Sequence, residues 1–275
     1  MQRQVGCFSL KLFPAAPYCA RDGGSENILG VALQPQSGAH AIGTDRRTDF
    51  ETWPGTVSFK PPGLDVFSES DRGGEYISVG WLGDSWTQEA PTNGRDPSRP
   101  QWRGQRRVLR AAFRLRAALL REAADPELET GISSLLAACD SLGQPSRTNS
   151  PPAQRYRRVM ECIADELCDP DVDLSLERLS HLAGEAPLAF LRGFSRAFGI
   201  TPHAYVADQR LQVARRLIAH TELSLAAIAA ETNYASQSHM GASFRSGLGM
   251  TPGRYRCLHR TEADAEISRG AASPT

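Results

Sequence analysis

Arg192, Arg196 and Arg245 carry planar five-donor forks, and Gln237 and Ser238 carry short polar side chains, in two segments about fifty residues apart. A guanidinium can bond bidentately to guanine, a glutamine amide to adenine, and a serine hydroxyl to a base. Phosphate oxygens accept from the same donors. This chemistry needs a scaffold that projects the side chains outwards at fixed spacing, and the chain repeats such a scaffold. Phe194-Ser-Arg-Ala-Phe-Gly-Ile-Thr-Pro-x-x-Tyr205 returns as Phe244-Arg-Ser-Gly-Leu-Gly-Met-Thr-Pro-x-x-Tyr255. Upstream, Leu174-Ser175-Leu176-x-x-Leu179 is echoed by Leu223-Ser224-Leu225-x-x-Ile228. Self-similarity at a fixed offset marks one supersecondary unit used twice, too few copies for a stacked solenoid.

Each copy reads as helix, tight turn, helix. In the first, Ser175 is an N-cap, and Leu176, Leu179 and Leu182 follow at helical spacing. Gly184 permits the positive φ of the turn. A second helix starts near Pro187, carries the stripe Phe190, Leu191, Phe194 and Phe198, and stops at Gly199. In the second copy Ser224 caps, Leu225 and Ile228 face inwards, and Asn233 takes the turn. A helix then runs from about Ser236 to Gly247, with Met240 and Phe244 inward. Between the copies, Thr201-Pro202 reads as N-cap and first residue of a helix reaching about His220. A helix of about 20 residues spans about 30 Å, close to the ~34 Å repeat of B-DNA. Such a connector suits two reading helices set in successive major grooves.

Removing the apolar stripe leaves Leu188, Arg192, Ser195 and Arg196 outward on the first reading helix. Arg192 suits guanine and Arg196 phosphate. Leu188, and Leu191 at the border of the stripe, could meet a thymine methyl. The competing readings are a solvated face for the arginines and internal packing for the leucines. The outward set on the second helix is Gln237, Ser238, Gly241, Ala242 and Arg245, with Arg245 suited to phosphate. Gly241 and Ala242 offer no side-chain hydrogen bond, so the first copy is expected to dominate specificity. From Leu174 to His259 nine arginines stand against five acids, whereas the whole chain is neutral. Phosphate contact with a moderate salt dependence follows.

Residues 154–258 resemble the DNA-binding domain of the AraC/XylS family of bacterial transcription regulators. The resemblance rests on Ile228-Ala229, Asn233-Tyr234, Gln237-Ser238-His239, Phe244-Arg245, Gly249, Pro252, Tyr255-Arg256 and, in the linker helix, Arg210-Leu211-x-x-Ala214-x-x-Leu217. It implies base contacts from Leu188, Leu191 and Arg192, and promoter DNA as partner. RNA polymerase, a small-molecule effector and a second copy of the chain are further partners it admits. The chain departs from the family pattern in four places. Glu185 replaces an apolar turn residue, Ala186 the serine cap of the first reading helix, Asn233-Tyr234 the usual Gly-Phe, and Ala242 an arginine.

The texture changes upstream. Residues up to about 86 alternate Gly- and Pro-rich turns with short apolar runs at 28–33, 56–59, 66–68 and 76–79, which read as strands of a small barrel or sandwich. The segment 54–63 is similar to the cupin-like effector domain common in the same family. Phe50, Trp53, Phe59, Phe67, Tyr76 and Trp81 are the aromatics that could line a ligand pocket there, with Trp53, Phe59 and Phe67 singled out, and the competing reading is that they fill the barrel. Helices are expected at about 102–122 and from Asp125 onwards, resembling the family's dimerisation segment.

The expected fold class is α+β: an N-terminal cupin-like β-barrel with trailing helices, and a C-terminal all-α domain of two helix-turn-helix units joined by a linker helix. The expected domains are 1–142 for sensing and dimerisation, a linker at 143–153, a DNA-binding domain at 154–260 and a loose tail at 261–275.

The N-terminal half has one histidine, His40, and no nucleophile motif, so no catalytic residue, metal or cofactor is expected. Six cysteines without CxxC or zinc spacing suit a reducing cytoplasm, and there is no apolar run of membrane-spanning length or secretory leader. The competing class is a protein-interaction adaptor whose DNA-binding face has decayed, suggested by Glu185, Gly241, Ala242 and the small charge excess. A third reading, a cupin-like enzyme, requires a bound metal or turnover.

Overall fold

The computed structural model describes residues 1–83, 101–102, 106–140, 142 and 155–259. The expected linker at 143–153, the polar loop at 87–100 and the tail at 261–275 lie outside them. Two compact units form. The first comprises Met1–Arg116, Ala123–Arg155 and Gly193–Ile200, and the second Ala117–Glu122, Tyr156–Arg192 and Thr201–Thr275.

Among the described residues the first unit contains ten strands: β1 Gln2–Val5, β2 Phe8–Phe13, β3 Tyr18–Asp22, β4 Asn27–Ala32, β5 Gln36–Ile42, β6 Thr48–Thr52, β7 Val57–Lys60, β8 Val66–Ser70, β9 Tyr76–Trp81 and β10 Gln101–Trp102. They form two antiparallel sheets, ordered β1-β2-β9-β4-β7-β10 and β3-β8-β5-β6. The expected closed barrel is therefore corrected. Closure requires the edge strands to pair, yet among the described residues β1 and β10 end one sheet and β3 and β6 the other. Trp102, expected to open a helix, instead pairs with Val57.

Period-two alternation gives the larger sheet two different faces. Leu10, Leu12, Leu29, Val31, Val57, Phe59, Ile77 and Val79 occupy one, all buried. Opposite them, Lys11, Ser78, Gly30 and Ser58 stand in one row across four strands, with Gly80, Ile28 and Lys60 in the next. Gly30 is required here. A Cβ would lie 1.7 Å from the Tyr76 hydroxyl, whose ring crosses β4 to reach Ser58 Oγ at 2.6 Å.

Helices α1 (Arg106–Leu120) and α2 (Asp125–Asp140) follow. Val108, Leu109, Ala112 and Leu115 of α1 and Leu128, Ile132, Leu135 and Cys139 of α2 are buried, while Arg106, Arg107, Arg110 and Arg114 are exposed. Arg116 is buried too, and its guanidinium donates to Glu75 at 2.8 Å. Arg3 ties β1 to the start of α2 through the Ala123 carbonyl and Asp125.

The second unit is helical: α3 Arg157–Glu166, α4 Leu176–Leu182, α5 Pro187–Phe198 (shared with the first unit), α6 Pro202–His220, α7 Leu225–Glu231, α8 Gln237–Leu248 and a last helix, α9, at 252–259.

Candidate functional site

The two helix-turn-helix units form through local capping. Ser175 Oγ accepts from the Arg178 amide, Ser224 Oγ from Ala227 and Ser236 Oγ from His239, so α4, α7 and α8 each begin with one freed donor satisfied. Thr201 does the same for α6, with Pro202 behind it. The turns use Gly184 at φ 67° and Asn233 at φ 54°. Gly199 at φ 71° and Gly249 at φ 70° end the reading helices. The 19 residues of α6 are about 28 Å long at about 1.5 Å per residue. Gly247 allows α8 to lie against α6, since a Cβ there would meet Leu211 at 2.4 Å.

The first reading helix, α5, buries Phe190, Phe194 and Phe198 completely. Leu188 is 65% exposed, and Arg192 and Arg196 are exposed beside it. Leu191 is half-buried. Ser195 departs from expectation: its hydroxyl is buried and has no hydrogen-bond partner, so it is not offered outwards. The glutamate at 185 has a local explanation. The buried Tyr156 hydroxyl donates to the Glu185 carboxylate at 3.2 Å, and the Tyr156 ring meets Phe190 edge-on at 5.7 Å. Leu182, expected inward, is exposed.

On α8, Gln237, Ser238, Ala242 and Arg245 are exposed and Met240 and Phe244 are buried. Gly241 is buried, contrary to its expected outward position: a Cβ there would meet Arg245 Nη1 at 3.5 Å, which places that guanidinium back over the glycine. Among the described residues no ion pair holds Arg192, Arg196 or Arg245. Three unneutralised guanidiniums on two helix surfaces can bond phosphate or base edges without first breaking an internal partner. Elsewhere in the unit, Arg178 donates to Glu166 at 2.6 Å, and this hydrogen bond holds the Glu166 carboxyl below its ordinary value. The amide of Asn233 reaches the Asp169 carbonyl, fixing the second turn.

The first unit contains a cavity of about 390 Å³ between its sheets. None of Trp53, Phe59 or Phe67 lines it. Phe59 is on the opposite, apolar face with its ring 6.1 Å from Trp81. Phe67 faces away beneath the Arg47 guanidinium. Trp53 lies past the end of β6, 5.8 Å from the Phe198 ring within the same unit. Phe50 and Tyr76, two of the six aromatics named from the sequence, do line it, and the polar lining positions were not anticipated. The lining includes Lys11, Ser58, Lys60, Tyr76 and Ser78 from one sheet and Tyr18, Asp22, His40, Phe50, Thr52 and Ser68 from the other. Lys60 Nζ donates to the Gly24 carbonyl at 3.1 Å and lies 3.2 Å from Asp22. Burial alone would raise the Asp22 carboxyl, but the Gly24 amide and Lys60 hold it below its ordinary value. The available signal was Ser-x-Lys at 9–11 and 58–60 within otherwise apolar strands.

Among the described residues no three His, Cys, Asp or Glu side chains gather as a metal site, and no helix is long and apolar enough to cross a membrane.

Two helix-turn-helix units joined by a long helix, each with a polar outward face on its second helix, define a tandem helix-turn-helix domain of the DNA-binding class. Residues 179–257, within the part of the chain that resembles the AraC/XylS type, match the family model described as a helix-turn-helix domain. The chain is 39% identical over 87 residues to a probable transcriptional regulator, LumQ, of Photobacterium leiognathi, covering 32% of this chain and 35% of that protein. It is 34% identical over 102 residues to the transcriptional activator NphR of Rhodococcus sp, covering 37% of this chain and 30% of that one. The chain thus spans about a third of the length of the curated relatives it matches. Among solved structures, ToxT from Vibrio cholerae O395 aligns over 92% of this chain and 98% of its own at 13% identity and a TM-score of 0.35, a likeness too slight to bear on this chain.

Proposed function

We propose that the chain is a sequence-specific DNA-binding transcription regulator controlled by an effector or partner at its N-terminal half. The carrying observation is the pair of reading helices whose exposed Arg192, Arg196 and Arg245 have no ion pair among the described residues. Arg192 reads a base, Leu188 and Leu191 meet an apolar base edge, and Gln237 and Ser238 contact bases at the start of α8. Arg196 and Arg245 hold phosphates. Residues 154–260 act as the DNA-binding domain, and residues 1–142 as a cupin-like sensing and dimerisation domain, in the cytoplasm. The match to proteins named as regulators over the C-terminal third supports this reading.

The adaptor reading keeps one observation in its favour: mid-helix on α8 the exposed position is Ala242, which has no polar group to offer. Selection of genomic fragments with purified full-length protein decides between them. Regulation predicts an enriched motif with two half-sites about one helical turn apart, weakened by Arg192→Ala. No enrichment by folded protein, with or without cell extract as effector source, overturns it.

A further inference from the structure

The cavity between the sheets has a charge pattern that the packing of a sandwich does not require. Facing sheets ordinarily fill their interface with apolar side chains. Here the face turned to the second sheet is the one bearing Lys11, Ser58, Lys60 and Ser78. Of the 31 Lys and Arg residues of the chain, two are lysines, Lys11 and Lys60. Both line this cavity. Lysine presents a compact point charge, whereas arginine presents a planar fork.

The two lysines are not equivalent. Lys60 is 2% exposed and already neutralised by Asp22 at 3.2 Å. Lys11 is half-buried, and its ammonium acts on the Asp22 carboxyl at a distance but has no side-chain hydrogen bond or ion pair among the described residues. With one aspartate against two lysines, the lining carries one uncompensated positive charge. A second unsatisfied group lies in the same wall: Thr52, 8% exposed, has a buried hydroxyl with no partner. Phe50, stacked on His40 at 5.2 Å, and Ile42 and Val66 supply apolar surface opposite. The volume falls within the roughly 300–1,000 Å³ of small-molecule sites.

We propose that this cavity binds a small organic monoanion, its carboxylate or sulfonate on Lys11 Nζ and its apolar body against Phe50, Ile42 and Val66. The proposal rests on the reading of the N-terminal half as the effector-binding part and names the chemistry of that effector. A dianion would leave one charge unmatched, and a neutral ligand would leave the Lys11 ammonium desolvated without a counterion.

The test uses two fluorescent probes of nearly the same shape, 8-anilinonaphthalene-1-sulfonate and the neutral N-phenyl-1-naphthylamine, titrated into full-length protein. The wild type is expected to bind the sulfonate at least tenfold more tightly. Lys11→Met and Lys11→Gln remove that preference while leaving the neutral probe unchanged. Ala20→Trp, at an exposed lining position on β3, weakens both probes. Far-UV circular dichroism and a thermal midpoint establish that each variant is folded. Equal affinities in the wild type, or a preference that survives both Lys11 substitutions, overturn the anion proposal. If the neutral probe then remains sensitive to Ala20→Trp, the cavity still stands as a ligand site. Binding of neither probe, or binding indifferent to Ala20→Trp, overturns both.

Discussion

Glu75 Oε2 accepts a hydrogen bond from Arg116 Nη1 at 2.8 Å, with the two side chains 1% and 2% exposed. The pair ties the approach to β9 to α1, and the Arg116 guanidinium also stacks over the Phe113 ring at 4.6 Å. Removing one member breaks a buried, hydrogen-bonded ion pair, which costs about 3–5 kcal/mol. Glu75→Gln and Arg116→Met are each expected to lower the thermal midpoint by on the order of 10 °C. The double substitution should recover part of that loss, because neither position then carries a buried charge. Thermal unfolding followed by circular dichroism checks this, and single variants that melt with the wild type contradict it.

Arg192 and Arg245 should fail differently on DNA. If Arg192 reads a base, Arg192→Ala costs about 1–3 kcal/mol and relaxes preference at one base pair. If Arg245 holds a phosphate, Arg245→Ala weakens all sequences alike and lowers the salt slope by about one. Fluorescence anisotropy on the selected operator and its single-base variants, repeated across a KCl series, separates the two. A uniform loss for Arg192→Ala would move that residue to the phosphate backbone.

Helix ends were legible in the sequence because capping is local: Ser175, Thr201, Ser224 and Ser236 satisfy amides three residues on, and Gly199 and Gly249 take the positive φ that stops a helix. Spacing alone also gave the exposure of Leu188, Arg192, Arg196, Gln237, Ser238 and Arg245. Of the cavity lining, Phe50 and Tyr76 were legible and the polar positions were not. Alternation says that Phe59 and Lys60 point to opposite faces, but only long-range pairing decides which face meets the second sheet. Phe59 was chosen for its aromatic ring and lies on the wrong side. The two residues of β10 are too few to show a period, and Gly241 is covered by its own neighbour, Arg245, which a helical wheel does not register.

Acid should weaken the first helix-turn-helix unit through Glu166. The Arg178 hydrogen bond is the main cause of its lowered pKa, with the Cys162 thiol adding to it. A carboxyl whose folded value lies below its unfolded one contributes stability that is fully present above the unfolded pKa. That contribution is lost as pH falls through the folded value. Asp173, held down by the Ser175 hydroxyl and amide, acts in the same direction. Wild type should therefore melt above Glu166→Gln at pH 6, and the gap should be smaller at pH 3, below the ordinary glutamate value of about 4.3. Paired melting curves at the two pH values check the sign, and a gap that widens in acid refutes it.

Gly30→Ala should separate stability from cavity shape. The added Cβ would sit 1.7 Å from the Tyr76 hydroxyl and 2.2 Å from Cζ, so the ring has to swing away. That movement breaks the 2.6 Å Ser58–Tyr76 hydrogen bond and opens the wall between Lys11 and Ser58. Loss of one such bond costs about 0.5–1.5 kcal/mol, and alanine recovers part of that by restricting the unfolded chain. A small net change in midpoint is expected, together with a large change in affinity for the neutral naphthylamine probe. Tyr76→Phe keeps the ring and removes only the hydroxyl, so it should reproduce the stability loss and leave probe affinity near wild type. If Tyr76→Phe instead changes affinity as much as Gly30→Ala, then the hydroxyl is a ligand contact and not a brace for the wall.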